Sequence, residues 1–450
     1  MNSTDIRDAF GRRIELHESA EVTSMGGLCA CVEHLRRCGV LEALHKSLDP
    51  TLPERGQAGK VRYSAAQLLE LRLLALIAGR EDLNDFKKLP SDPGYMLACG
   101  LKELPSFSTL CRFERDITDE TLKAGNKFLL DMYFRYSGNQ KYIFIDIDNT
   151  PGELYGHQEN VKFNGHYGCN CYLPLLAFID GFPIAVHNGN EDGRKVMVKH
   201  LKTLVDFIRA RRPNSVIILR ADSGFNGTEL IDLCEKSGCY YLIGLAPNKR
   251  LQKLLELWEP EFVDVVRRPP KVGGSLLRHY GELDEYTAAT WSKPRRVIVR
   301  DYWDDERRQW DPRFIQTNIP SESDGRCGKL WRLGAHELYA HLYCERGTME
   351  KFNQEFKAQA FGSRASSSRF ETNSHRMLLA ALCQLFFRIL RTCFYGRKSS
   401  WYSANLNTFR RAFICVPALL VQMRTKVKIH LNTGSLSGGD FCRFWAVPAG

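Results

Sequence analysis

The sequence predicts a multidomain protein of mixed α/β class, and three observations carry that expectation. At 450 residues with 44% apolar side chains, the chain can fill more than one hydrophobic core, because single cores stop growing near about 250–300 residues. Up to about residue 138 the apolar residues recur at helical spacing. From Lys141 onward, short apolar runs of strand character alternate with helical stretches.

In the first part, LCACVEHLRRCGVLEALHKSL and SAAQLLELRLLALIAG both show an apolar helical face. The second is opened by Ser64, whose hydroxyl can accept from the free N–H groups of the first turn. Asp92-Pro93-Gly94 reads as a turn dividing this part. The segment SFSTLCRFERDI, with Ser106 and Ser108 as caps and with Arg112 and Arg115, is either the DNA-facing helix of a helix-turn-helix-like unit or an ordinary solvated helix.

In the second part, YIFIDID sets Ile143, Ile145 and Ile147 on one face of a strand and Tyr142, Phe144, Asp146 and Asp148 on the other. CYLPLLAFI and FPIAVH flank the hairpin signal Asp180-Gly181, so three antiparallel strands are expected. A helix over about 194–210, the wholly apolar strand SVIILRAD, the helix GTELIDLCEKSG and the strand YYLIGL follow. Three antiparallel strands, helix, strand, helix, strand is the element order of a ribonuclease-H-like fold. Between about Arg250 and His341, segments such as RRVIVRDYW and RFIQTNI predict an inserted β subdomain, which holds five of the seven tryptophans. MLLAALCQLFFRIL reads as a buried core helix, too short to span a bilayer. The expected division is a helical DNA-binding domain at 1–138, the first part of the core at 139–249, the β insertion at 250–340, the rest of the core at 341–395 and a basic region at 396–450.

The net charge of +11 is concentrated at one end. Lys351 to Gly450 carries 15 Lys/Arg against 3 Asp/Glu, a balance of +12, so the remainder is nearly neutral. A folded, aromatic-containing basic segment suits nucleic acid. The fifteen cysteines are scattered, and no apolar leader-like segment stands at the start, so they are expected as reduced cytosolic thiols. Cys29/Cys31 and Cys169/Cys171 lack a partner pair at zinc spacing and are expected to pack rather than bind metal.

Chemistry enters with the run LYCERGTMEKFNQEFKAQ. On a regular helix at about 100° per residue, Tyr343, Arg346, Glu350 and Lys357 share one face, within about 60°. A carboxylate would then stand between phosphate-binding cations. Upstream, the apolar strand runs within YIFIDIDNT and SVIILRADSGF each end in aspartate, which makes Asp148 and Asp222 candidates to join Glu350, with Asp146 as the alternative first acid. Three acids can hold two Mg²⁺ ions about 4 Å apart, one activating a water or 3′-hydroxyl and the other stabilising the leaving oxygen of a phosphodiester. Magnesium takes oxygen ligands and keeps waters, so neither His nor Cys is needed.

These residues together resemble a DDE transposase of bacterial insertion sequences. The spacing Tyr-x2-Arg-x3-Glu-x6-Lys is that of the IS-four superfamily. DIDNT, YGHQEN, NGHYGCNCYLPLLAF, RADSGF, GREDLNDF and FSTLCRFE resemble the family numbered thirteen-eighty within it, over about residues 20–395. The resemblance implies that Asp148, Asp222 and Glu350 bind Mg²⁺, with Mn²⁺ as a substitute, and that Tyr343, Arg346 and Lys357 hold the DNA end. It further implies a ribonuclease-H-like core with a β insertion before the glutamate. The activity implied is cut-and-paste transposition by a homodimer on terminal inverted repeats and target DNA, in the bacterial cytoplasm at the nucleoid and without a membrane.

Two other functions fit parts of the chain. DIDNT is also the entry motif of haloacid-dehalogenase-like phosphatases, in which Asp146 would be the nucleophile and Asp148 the acid/base. A decayed or domesticated transposase would grip DNA ends without cutting. Trp303 and Trp310 are candidates for stacking on a base flipped out near the cut.

Overall fold

The computed structural model describes residues 19–53, 61–256, 278–304, 306–395, 398–431, 440, 444 and 445. Parts of the expected N-terminal domain (1–18 and 54–60), insertion (257–277, with Trp258) and basic C-terminal region (432–439, 441–443 and 446–450) lie outside the described residues.

The first helical run divides into α1 (Leu28–Arg37) and α2 (Val40–Leu48), separated by Gly39 at φ +66°. That left-handed conformation is open to glycine without a Cβ penalty. α3 (Ala65–Ile77) opens on a capping box in which the Ser64 hydroxyl accepts from Gln67 N–H and the Gln67 side chain accepts from Ser64 N–H. The triplet expected as a dividing turn instead starts a helix. Asp92 accepts from the N–H groups of Gly94 and Tyr95, and Pro93, which lacks an N–H, is the first residue of α4 (Pro93–Cys99). Ser106 caps α5 (Phe107–Arg115), whereas Ser108 lies inside that helix; Arg112 and Arg115 are exposed on it. α6 (Asp119–Tyr136) leads into the sheet.

The sheet begins with β1 (Tyr142–Asn149), β2 (Leu175–Ile179) and β3 (Phe182–His187). Proline breaks the expected strand CYLPLLAFI, leaving Cys169–Tyr172 in a separate three-stranded sheet with Gly152–Glu153 and Lys162–Asn164. α7 (Gly193–Arg211), β4 (Val216–Ala221), α8 (Thr228–Lys236), β5 (Tyr240–Leu245) and α9 (Lys249–Glu256) follow. β6 (Arg278–Tyr286), β7 (Arg295–Asp304) and β8 (Arg313–Thr317) then extend the same sheet. Its order is β6-β7-β8-β5-β4-β1-β2-β3, with the short strand Gln309–Trp310 on β7. Only β1, β4 and β5 run parallel to one another; the other pairings are antiparallel. The expected insertion therefore joins the sheet through β8 on β5, with Phe314 opposite Leu245 and Thr317 opposite Leu242.

Burial follows the alternation read in β1. Ile143, Ile145 and Ile147 are buried in an apolar cluster that also takes in α1, α3, α6 and α10 (Phe370–Phe394). The opposite face carries Tyr142 and Phe144 against Ile218, Leu242, Leu338 and Tyr339. At 25 residues α10 is longer than expected, and by length and composition it could cross a membrane; 83% of its apolar window is buried inside the fold. Burial that extensive makes it the central core helix. The described cysteines are all free thiols.

Candidate active site

Two carboxylates meet where adjacent parallel strands end. β1 and β4 pair with Asp146 opposite Arg220, so two residues further on Asp148 and Asp222 stand side by side at the carboxyl ends of the strands. Crevices at such ends are where open α/β sheets bind ligands. Asp222 fixes its own turn by accepting from Gly224 N–H at 2.9 Å. Gly244 on β5 lets this turn approach, because a Cβ there would sit 2.6 Å from Ser223 N and 2.9 Å from the Tyr343 hydroxyl.

The two early aspartates, equivalent by alternation, have different partners. Asp146 accepts from Arg220 Nε at 2.6 Å and Nη2 at 2.8 Å in a buried bidentate pair, and Arg220 Nη1 donates to the carbonyl of Leu342 at 2.7 Å. This pair ties β1, β4 and the Tyr343 segment together. It leaves Asp146 committed, which removes the nucleophile required by a haloacid-dehalogenase-like phosphatase. Asp148 accepts from Asn353 Nδ2 at 2.8 Å and from the backbone N–H of Asn149. Burial first, and then the negative charge of Asp222, pushes its carboxyl up to about 6; Arg346 pulls in the opposite direction.

The stripe does not lie on one regular helix. Glu337–Tyr343 and Glu355–Gln359 are wound as π-helix, Cys344–Gly347 as 3₁₀-helix and only Thr348–Gln354 as α-helix, so a uniform 100° per residue does not apply. Tyr343 and Arg346 nevertheless face the acids. The Arg346 guanidinium lies 5.8 Å from the Tyr343 ring centre and feels both Asp148 and Asp222, while burial and Asp222 push the Tyr343 hydroxyl pKa up. Glu350 is exposed, and Lys357 is partly exposed. Among the described residues no three His, Cys, Asp or Glu side chains are grouped closely enough to hold a metal ion. Asp148 and Asp222 are thus brought together, and Glu350 is not gathered with them.

Three residues of the site escaped sequence reasoning. Asn353 lies three positions after Glu350, a helical offset that could have flagged it. Arg220 precedes Asp222 by two residues on the same strand. Tyr167 lies in the run NGHYGCNCYLPLLAF without being singled out by it, and its hydroxyl pKa is raised by burial and by the charges of both Asp148 and Asp222. The donor set suits a hard cation: two mutually repelling carboxylates, and a buried Asn353 Oδ1 with no hydrogen-bond partner. Trp303 and Trp310 sit opposite each other in register, their rings edge to face at 5.7 Å, and Trp310 also packs on His279 at 4.6 Å.

A family model described as "Transposase DDE domain group 1" matches residues 7–442. No curated protein matches the chain. Among solved structures, a piggyBac transposase synaptic complex with hairpin DNA, determined by cryo-EM, is similar at a TM-score of 0.42 and 10% identity, over 86% of this chain and 79% of that one.

Proposed function

The chain belongs to the group 1 family of transposase DDE domains, and from that premise we propose that it cuts and joins DNA at the ends of a bacterial insertion sequence. The observation that carries this reading is the Asp148–Asp222 pair at the ends of β1 and β4, with Arg346 beside it. The strand order supports a ribonuclease-H-like core. The stripe spacing supports the IS-four superfamily, and the motifs around Asp148 and Asp222 support its thirteen-eighty family.

In this reading Asp148 and Asp222 hold divalent metal, Mg²⁺ or Mn²⁺, with the Asn353 side chain beside Asp148, and Glu350, which is not grouped with them in the structure, joins them as third ligand when metal and DNA bind. Two such ions, when bound, supply activation of the attacking oxygen and neutralisation of the leaving one. Arg346 and Lys357 take phosphates, and Tyr343 borders the scissile bond. The Asp146–Arg220 pair keeps β1 and β4 in register. Substrates are terminal inverted repeats and then target DNA, which receives the exposed 3′-hydroxyl. The working form is a homodimer, acting in the cytoplasm at the nucleoid. The domain division at 138, 249, 340 and 395 belongs to the same proposal, with α5 facing DNA and Trp303 and Trp310 stacking on an extruded base.

The test is nicking of a plasmid that carries the DNA flanking this reading frame, with Mg²⁺ or Mn²⁺ and with chelator as control. Metal-dependent breaks at the repeat ends, lost in Asp148→Ala, are expected. The exposure of Glu350 away from the aspartates favours one second reading, a protein that binds the ends without cutting. Retardation of end DNA without nicking, unchanged in Glu350→Gln, would establish it.

A further inference from the structure

The small sheet that grows from the end of β1 presents aromatic side chains to solvent beside the acids. Four residues beyond Asp148, Gly152 pairs with Tyr172, and Lys162–Asn164 pairs with Cys169–Cys171. Tyr155 is 87% exposed, Phe163 68% and Tyr167 41%. Isolated exposed aromatics need no explanation, but three lie within thirteen residues, and Phe163 and Tyr167 belong to one hairpin. Its base is anchored: the Tyr172 hydroxyl donates to the Glu159 carbonyl, Glu159 N–H donates to the Ser368 carbonyl, and the Glu159 carboxylate accepts from Phe370 N–H. The tip is also held. Asn164 Oδ1 accepts from the N–H groups of His166 and Tyr167, and Gly168 N–H donates to the Asn164 carbonyl. Between Asn160 and Cys171 there is no Asp or Glu, whereas Lys162 and His166 are present and exposed.

We propose that the Lys162–Cys171 hairpin is a second DNA-contacting surface, on which Phe163 and Tyr167 stack against unpaired nucleobases next to the scissile phosphate. Ordered, exposed aromatic rings interleaved with a cation and lacking acids suit single-stranded nucleic acid, because every base offers a π-face. Duplex DNA hides those faces. The position of the hairpin decides the occupant: its sheet starts at Gly152, which lies four residues beyond Asp148 and pairs with Tyr172 at the base of the hairpin, and Tyr167 feels the charges of Asp148 and Asp222, so DNA whose phosphate lies at the acids runs beside it. This inference rests on the proposed function and adds the state of the DNA that the site selects.

The experiment uses full-length protein with Phe163→Ala, Tyr167→Ala and Tyr167→Phe. Binding is measured on short duplexes of the DNA flanking the reading frame, either fully paired or unpaired over the nucleotides beside the end, with 2-aminopurine at an unpaired position. Each alanine is expected to weaken binding to the unpaired probe about tenfold or more, to leave the paired duplex nearly unchanged and to abolish 2-aminopurine quenching. Tyr167→Phe should retain the affinity, because the ring does the stacking. Equal losses on both probes, no loss on either, or a change of oligomeric state in Phe163→Ala without DNA would overturn the inference. If wild type neither binds nor cuts these DNAs, the proposed function fails as well; if wild type binds both and the variants match it, the hairpin inference fails alone. Unchanged melting of the free variants separates these outcomes from misfolding.

Discussion

Replacing Asp222 by Asn should stabilise the metal-free protein, the opposite of what most substitutions at a packed position do. The Asp148 carboxyl stands at about 6 against an ordinary 3.8, a difference worth about 3 kcal/mol between its two protonation states. Burial is the larger cause and Asp222 the second, so removing the Asp222 charge should return about 1 kcal/mol. Asn retains the oxygen that accepts from Gly224 N–H, so the turn survives. The sign follows from linkage. With its folded pKa raised, Asp148 favours the folded state fully below about pH 4, and this contribution is lost as pH rises through about 6. The gain in the variant should therefore be present at pH 8, about 1–2 °C in melting temperature, and absent at pH 4. Scanning calorimetry with chelator and with excess Mg²⁺ measures both parts. Wild type should gain stability from Mg²⁺ at pH 8, about 3 kcal/mol at a hundredfold excess over its dissociation constant, and Asp222→Asn should gain little. A variant less stable than wild type at pH 8 without metal, or one that responds fully to Mg²⁺, would refute the repulsion argument.

Three further outcomes are expected. Arg220→Leu leaves Asp146 buried and unpaired, so urea unfolding should show a loss of about 3–5 kcal/mol, whereas Asp148→Asn should not destabilise the protein. Gly244→Ala places a methyl group 2.6 Å from Ser223 N; with the fold retained by circular dichroism, metal-dependent nicking should fall and stability drop by about 1–3 kcal/mol. Lys357→Ala should weaken DNA binding uniformly across sequences and lower the slope of log affinity against log salt by about one, as measured by titration at several salt concentrations.

The sequence by itself determined what depends on neighbours along the chain. The Ser64 cap, the Asp180-Gly181 hairpin, the buried run of β4 and the alternation of β1 were legible because each is set by local hydrogen bonding or by side-chain period. Local chemistry also misled at Asp92-Pro93-Gly94, where cap and turn use the same residues. Tertiary structure decided what depends on residues far apart. Alternation makes Asp146 and Asp148 equivalent; only the register of β4, which sets Arg220 opposite Asp146, pairs one with a buried cation and leaves the other facing Asp222. Pairing of β8 with β5 is likewise non-local, so a subdomain read from composition is seen as an extension of the sheet. The winding of 337–359 departs from a uniform helix where Arg220 Nη1 binds the Leu342 carbonyl and the chain packs across the strand ends. No sequence period reports a contact of that kind, so Tyr167 and Asn353 entered the site only once the strands were placed side by side.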